Sequence, residues 1–168
     1  MLLETERLIL TELTLDMAGD IHRNSLDEDN RRFVPDEVFE TEEEALDAIR
    51  WLAFCYAKED APLLYALLTR DTGDNIGYVQ LCPIDEGWEV GYHIAKPYTG
   101  RGYATEAVNG FLPVMAQRKN LSEIYGICLK ENVASVHVLV KSGFETFYRG
   151  SGRYQGEERE IVRAVRRF

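Results

Sequence analysis

The sequence is poor in cysteine, poor in cations and free of long apolar runs, and each shortage removes a class of function. Its three cysteines, Cys55, Cys82 and Cys128, are widely spaced and never form C-x-x-C. Neither a disulfide framework nor a zinc site is indicated, so they read as small buried hydrophobes and no metal is expected. Lys and Arg total 19 against 29 Asp and Glu, a formal net charge of -10. Such a chain lacks the cationic face that neutralises phosphates, so no nucleic-acid partner is expected. No apolar stretch approaches the roughly 20 residues that span a bilayer. The opening Met1-Leu2-Leu3-Glu4-Thr5-Glu6-Arg7 meets charge too early for a signal-peptide core. A cytoplasmic protein with no membrane association is the expectation.

What remains is ordinary for a folded chain: 168 residues, 45% of them hydrophobic, enough to form a single domain over residues 1–168. Arg7 to Glu12 reads as a strand, and Thr14 offers an N-cap to a helix carrying Leu15, Ala18, Ile21, His22 and Leu26. After a polar stretch from Asp27 to Arg32 and a loop with Pro35, Thr41 and Glu44 form a capping box for a helix from about Glu42 to Lys58. Leu63 to Thr69 and Ile76 to Cys82 make a hairpin across Asp71-Thr72-Gly73-Asp74. Trp88, Val90, Tyr92 and Ile94 alternate along a third meander strand. Lys96 to Gly102 is a loop, and Ala104, Ala107, Val108, Phe111 and Met115 mark one face of a helix that Pro113 should kink. A strand Ile124 to Leu129, a short helix Val133 to Ser142, and strands near Glu145 to Tyr154 and Glu158 to Arg166 complete the pattern. The expected class is α/β (α+β): a mixed sheet of about seven strands, mainly antiparallel with one βαβ unit, flanked by about four helices.

The loop Thr99-Gly100-Arg101-Gly102-Tyr103-Ala104 stands between a strand and a helix N-terminus, where amides lack intrahelical partners and the helix dipole favours an anion. It is not a dinucleotide fingerprint: the third glycine position is Thr105, and an antiparallel meander precedes it. Nor is it a P-loop, since no Gly-Lys-Ser/Thr follows.

Several motifs in one order carry a resemblance. Thr5-Glu6-Arg7-Leu8, Gly91-Tyr92, Gly100-Arg101-Gly102-Tyr103-Ala104-Thr105-Glu106-Ala107, Asn132-x-x-Ser135 and Lys141-x-Gly143-Phe144 are similar to T-E-R-L, G-Y, G-x-G-Y-A-x-E-A, N-x-x-S and K-x-G-F. These belong to the GCN5-related N-acetyltransferases, the GNAT family. The branch resembled is that of the ribosomal-protein alanine N-acetyltransferases (RimJ/RimL-like). The family's Q/R-x-x-G-x-G/A maps onto Thr99, Gly102 and Ala104, with Thr99 departing from it. The resemblance implies acetyl-CoA as cosubstrate, its diphosphate on the amides of Arg101, Gly102, Tyr103, Ala104 and Thr105. The pantetheine arm would run between splayed strands Trp88 to Ala95 and Ile124 to Leu129, with Asn132 and Lys141 as further contacts.

Acetylating a primary amine needs a base, a polarised carbonyl and a proton for the leaving thiolate. Glu89 and His93 share a strand face, with Gly91 leaving space between them. Glu89 is either the base or an anchor for the ammonium, or else a solvated strand residue paired with an arginine, and His93 reads as a hydrogen-bonded structural histidine. Backbone amides from Tyr92 through His93 to Ile94 would polarise the carbonyl. Many relatives place a tyrosine seven residues after the asparagine; here that position is Leu139. The branch resemblance points to Ser135 as the group at the sulfur, and Gly156-x-x-x-Glu160 makes Glu160 a second acid. The acidic run Asp27 to Asp47 would suit a cationic acceptor (a protein N-terminus, a polyamine or an aminoglycoside), or is simply a solvated face. A homodimer is left open. The rival to an N-acetyltransferase is a non-catalytic acyl-CoA-binding sensor or scaffold, motivated by Leu139.

Overall fold

Apolar residues at every second position bury one side of strands such as Leu8–Glu12 and Glu123–Leu129, while Leu63–Thr69 is buried on both, in the computed structural model, which describes residues 1–168. They are β1 (Leu3–Glu4), β2 (Leu8–Glu12), β3 (Leu63–Thr69), β4 (Asn75–Ile84), β5 (Gly87–Ile94), β6 (Glu123–Leu129), β7 (Glu145–Tyr154) and β8 (Glu157–Arg167). One sheet holds all eight in the order β1-β2-β3-β4-β5-β6-β8-β7. Every neighbouring pair is antiparallel except β5 with β6. The strand beyond the expected seven is β1, two residues too short to leave a periodic signal.

Five α-helices flank the sheet: α1 (Ala18–Ser25), α2 (Glu28–Phe33), α3 (Glu42–Cys55), α4 (Tyr103–Lys119) and α5 (Val133–Lys141). The extra helix is α2, hidden in the polar stretch because it buries only Asn30. Its cap is Asp27, which accepts from the Asn30 amide. Thr14 makes no side-chain cap; a 3-10 turn, Leu15–Met17, leads into α1 instead. Thr41 caps α3 as expected, accepting from the Glu44 amide at 3.2 Å, while Glu44 reaches back to the Glu40 amide at 2.7 Å.

The core forms where α4 crosses one face of the sheet. Val108, Phe111, Leu112 and Met115 are fully buried against Leu8, Leu10, Leu67, Val79 and Leu81, and the Phe111 ring meets Tyr65 at 5.8 Å. Apolar burial on this scale is the main favourable contribution to folding. The opposite face is covered by α1 and α3 through a smaller cluster of Ala18, Ala45 and Ile49. All three cysteines are free; Cys55 and Cys128 are buried and Cys82 half-buried.

Helix α4 continues through Pro113 to Lys119. Both Pro113 and Asn109, whose carbonyl loses its amide partner, are exposed, so water replaces the missing bond on the solvent side. Pro113→Ala is therefore expected to raise unfolding free energy by about 1–3 kcal/mol in denaturant melts, without altering the buried face.

Candidate active site

The parallel pair β5 and β6 is registered only at Glu89 opposite Tyr125. Beyond that residue the strands part, and a cleft of about 400 Å³ opens between them. Glu89, Tyr92, Cys128, Asn132, Ser135 and Tyr154 all line it. On β5, Ala95 donates its amide to Ile76 on β4 at 2.7 Å. Alternation along the strand then turns the His93 amide toward β4 and those of Tyr92 and Ile94 toward the opening.

Two carboxylates stand on the cleft wall away from α4. Burial pushes the Glu89 carboxyl up to about 7, against the pull of the Ile127 amide and with the nearby Glu37 charge adding to the rise. Glu37 lies on the 3-10 turn Pro35–Glu37. Burial lifts it to about 7 as well, despite the hydrogen bond that Gln80 Nε2 donates to its Oε1 at 2.8 Å. The space at Gly91 is taken by Gln80: a Cβ there would lie 2.6 Å from Gln80 Nε2. Gly91 thus admits a neighbouring side chain rather than a substrate. His93 stands apart, its Nε2 bound to Asp27 Oδ2 at 3.2 Å, which fastens the capping residue of α2 to β5. Burial raises the Asp27 carboxyl, but its bonds to His93 and the Asn30 amide outweigh this and leave it lowered. About half of the acidic run is paired, among others Asp29 with Lys96 and Glu40 with Arg31. Within it, Asp36 and Glu37 reach the cleft.

On the far wall Asn132 Oδ1 caps α5 by accepting from the Ser135 amide at 3.1 Å. That places the Ser135 hydroxyl 2.8 Å from Tyr92 Oη, which also lies 3.1 Å from the Ser135 carbonyl. Burial holds the Tyr92 phenol well above its usual range, so it stays protonated. Cys82, pushed up to about 12 by burial, is a poor thiolate.

The loop before α4 has Gly100 and Gly102 at φ 74 and 83, backbone that L side chains adopt only under strain. The amides of Arg101 to Thr105 have no backbone partner, the first one used being that of Glu106 to the Gly102 carbonyl at 3.0 Å. The loop is held from below by a network joining two sequence motifs. Glu106 accepts from Thr5 Oγ1 at 2.6 Å, from the Arg7 amide at 2.7 Å and from Arg7 Nε at 2.6 Å. Arg7 also donates to the Arg101 carbonyl at 3.0 Å and stacks 4.4 Å over the Tyr103 ring. Burial raises the Glu106 carboxyl, but these donors outweigh it and hold it below its ordinary range.

Arg101 is exposed in the loop, and Lys141 is exposed in the last turn of α5. Glu160 is not brought to the cleft; it is exposed on β8, 3.5 Å from Lys130 Nζ. The cleft residues that the sequence reading did not single out are the Tyr92 phenol, Gln80, Glu37 and Tyr154. Gln80 was accessible from the hairpin register, which sets it opposite Gly91. Glu37 sat unremarkable within an acidic run.

Comparison with known proteins decides the family. Residues 7–145 match the family model described as acetyltransferase (GNAT) domain. The chain belongs to the GNAT acetyltransferase family. A curated relative, the uncharacterized N-acetyltransferase YoaA of Bacillus subtilis (strain 168), is 29% identical over 147 residues, covering 86% of this chain and 82% of the relative. Among solved structures, the ribosomal-protein-S5-alanine acetyltransferase from Vibrio fischeri superposes with TM-score 0.82 at 19% identity, covering 98% of this chain and 95% of that one. The microcin C7 self immunity acetyltransferase MccE, solved with acetyl-CoA and AMP, gives TM-score 0.83 at 15% identity, over 98% and 94%. This GNAT chain is an N-acetyltransferase with the GNAT fold, and no helix in it is long and apolar enough to cross a membrane.

The network under the loop gives a pH-dependent expectation. Glu106→Gln should lower the unfolding free energy at neutral pH by about 2 kcal/mol, the scale of lost charge-assisted hydrogen bonds. Because the folded carboxyl titrates below its ordinary 4.5, its contribution is complete above that pH and fades as pH falls through the folded value. Thermal melts of the two proteins should therefore converge in acid.

Proposed function

We propose that this GNAT acetyltransferase moves the acetyl group of acetyl-CoA to a primary amine by direct attack, with both substrates held in the cleft between β5 and β6. The carrying observation is that one cleft holds a carboxylate lifted to about 7, Glu89, together with a hydroxyl pair that bridges its walls, Tyr92 on β5 and Ser135 on α5.

The residues present fit the cosubstrate. The unpartnered amides of Arg101, Gly102, Tyr103, Ala104 and Thr105, at a helix N-terminus behind two left-handed glycines, suit a diphosphate. Arg101 and Lys141 supply exposed positive charge for its other phosphate groups. The Tyr92 and Ile94 amides face the opening where a pantetheine amide and the thioester carbonyl would need donors, and Asn132 keeps its Nδ2 for the same arm. Bound acetyl-CoA supplies the activated acyl group as a thioester.

The protein's part is proton handling and placement. An alkyl ammonium titrates near 10 and an α-ammonium near 8, so the acceptor arrives mostly charged. Ionised Glu89 takes its proton, a match of base strength to neutral pH that general-base catalysis favours. Ser135 hydrogen-bonds the sulfur as the thiolate forms, its hydroxyl oriented by the protonated Tyr92 phenol 2.8 Å away. Glu160, bound up with Lys130 away from the cleft, has no assigned step. Asp36, Glu37 and Glu89 together make the acceptor side attractive to a cation.

Several measurements test this reading. Calorimetry should show acetyl-CoA binding that Gly102→Val weakens strongly, and thiol release should depend on added amine. No binding heat with the native protein would end the proposal. Because the base must be ionised, kcat/KM should climb as pH rises through about 7. Glu89→Gln should flatten that limb and lower kcat by about 10²-fold. The same substitution should change stability in the opposite sense. A carboxyl raised above its ordinary 4.5 contributes fully below that pH and loses its contribution as pH rises through 7. Glu89→Gln should accordingly melt higher than the native protein at pH 8 and no higher at pH 4.

A further inference from the structure

Behind the acidic wall of the cleft lies a second chamber that the reaction above does not use. It sits between the sheet and the layer formed by α1 and α3, and its volume of about 80 Å³ is several times the roughly 10–15 Å³ that one water needs. The helix side is apolar, from Ile21, Phe39, Ala48, Ile49 and Leu52. Glu37 and Gln80 line both the chamber and the cleft, and their 2.8 Å hydrogen bond forms the partition between them.

The sheet side carries two hydrogen-bonding atoms with no partner. Asn75 is 8% exposed. Its Oδ1 is committed to the Gly77 amide at 3.1 Å, which fixes the flip of the amide and leaves Nδ2 as a buried donor with nothing to bond. The Tyr78 hydroxyl is buried and unpartnered as well, and both residues line the chamber. An unmet buried donor costs on the order of 1–3 kcal/mol. Two of them facing one apolar chamber describe a place where a ligand supplies the missing acceptor.

We infer that the chamber receives the substituent of the acceptor: a primary amine bearing a compact apolar chain that ends in an oxygen, which accepts from Asn75 Nδ2 and Tyr78 Oη while the amine stays with the carboxylates of the cleft. This rests on the amine-acetylating reading above and narrows it. A polyamine tail is disfavoured in the chamber, since a second ammonium would be desolvated among apolar side chains and would leave the Asn75 Nδ2 donor unmet. The shared boundary sets the order of groups along the ligand, with the nitrogen on the Glu89 side of Glu37 and Gln80 and the chain beyond them, so the hydrogen bond between these two residues opens to admit it.

The test compares propylamine, pentylamine, 5-aminopentan-1-ol and spermidine as acceptors in a thiol-release assay with acetyl-CoA. 5-Aminopentan-1-ol should exceed pentylamine in kcat/KM by about tenfold or more, because a site with committed donors rejects the analogue lacking the oxygen. Tyr78→Phe should shrink that ratio. Ala48→Phe, or Ala48→Leu should the larger side chain impair folding, should raise KM for the five-carbon amines more than for propylamine while the calorimetric affinity for acetyl-CoA holds. Preference for spermidine, indifference to the terminal oxygen, or an unchanged chain-length profile in both Ala48 variants would overturn the inference and leave amine acetylation standing. Release of thiol with none of the amines would instead remove the functional reading on which it rests.

Discussion

The separation of β5 from β6 is the constraint from which the site follows. Two parallel strands in a sheet ordinarily satisfy each other's amides and carbonyls along their whole length, yet here one registered pair, Glu89 with Tyr125, is all that joins them. The sheet tolerates this because each strand is secured on its other side. β5 keeps eight registered partners on β4 and β6 keeps seven on β8. Helix α4, which connects the two strands, packs its fully buried face beneath them. The backbone groups left over, the Tyr92 and Ile94 amides on one strand and the Ile127 amide on the other, turn into the gap. A split sheet supplies donors already oriented, which is what stabilising charge at a reacting carbonyl requires.

The same opening explains the acids. Glu89 and Glu37 are deep enough to be desolvated, yet no lysine or arginine is paired with either, so their affinity for protons rises instead of falling. Like charge adds to both rises, from Glu37 at Glu89 and from Asp36 at Glu37. A directly paired arginine would have held them ionised and stabilised the fold near neutral pH; Arg163, bound to Glu86, only partly offsets the rise at Glu89. The surface acids show the contrast: Glu131 lies between Arg32 and Arg159 and is held below its ordinary range. Paired carboxylates fasten the segment around α2 over the cleft, while unpaired ones equip the cleft itself. The division follows partners and not sequence position, since Asp27, Asp29 and Glu40 come from the same acidic run as Glu37.

Most strands and the four longer helices were legible because period-two and period-3.6 burial patterns are local. β1 and α2 were not, being too short to show a period. Glycine placement was legible as well: Gly100 and Gly102 precede a helix and do adopt left-handed backbone. Partners distant in the chain were beyond reach. Thr5 and Arg7 lie about a hundred residues from Glu106, and nothing local indicates that the first motif grips the helix opened by the second. Their presence in one sequence becomes intelligible once Glu106 is seen accepting from both. The space at Gly91 is filled in part for a related reason: the strand pairing that sets Gln80 beside it brings a side chain there.

The leucine in place of a tyrosine on α5 shows how a missing residue can mislead. Leu139 is buried, and its side chain presses on Gly126 so closely that a Cβ there would come within 2.4 Å of Leu139 Cδ2. It therefore acts as a wedge between α5 and β6, filling space that any side chain at Gly126 would claim. The phenol comes from the other wall, where Tyr92 reaches across to Ser135 at 2.8 Å. With the hydroxyl on the strand, α5 is free to pack tightly while a protonated oxygen still stands in the cleft, and the opposing walls of a parted sheet are equally able to present one.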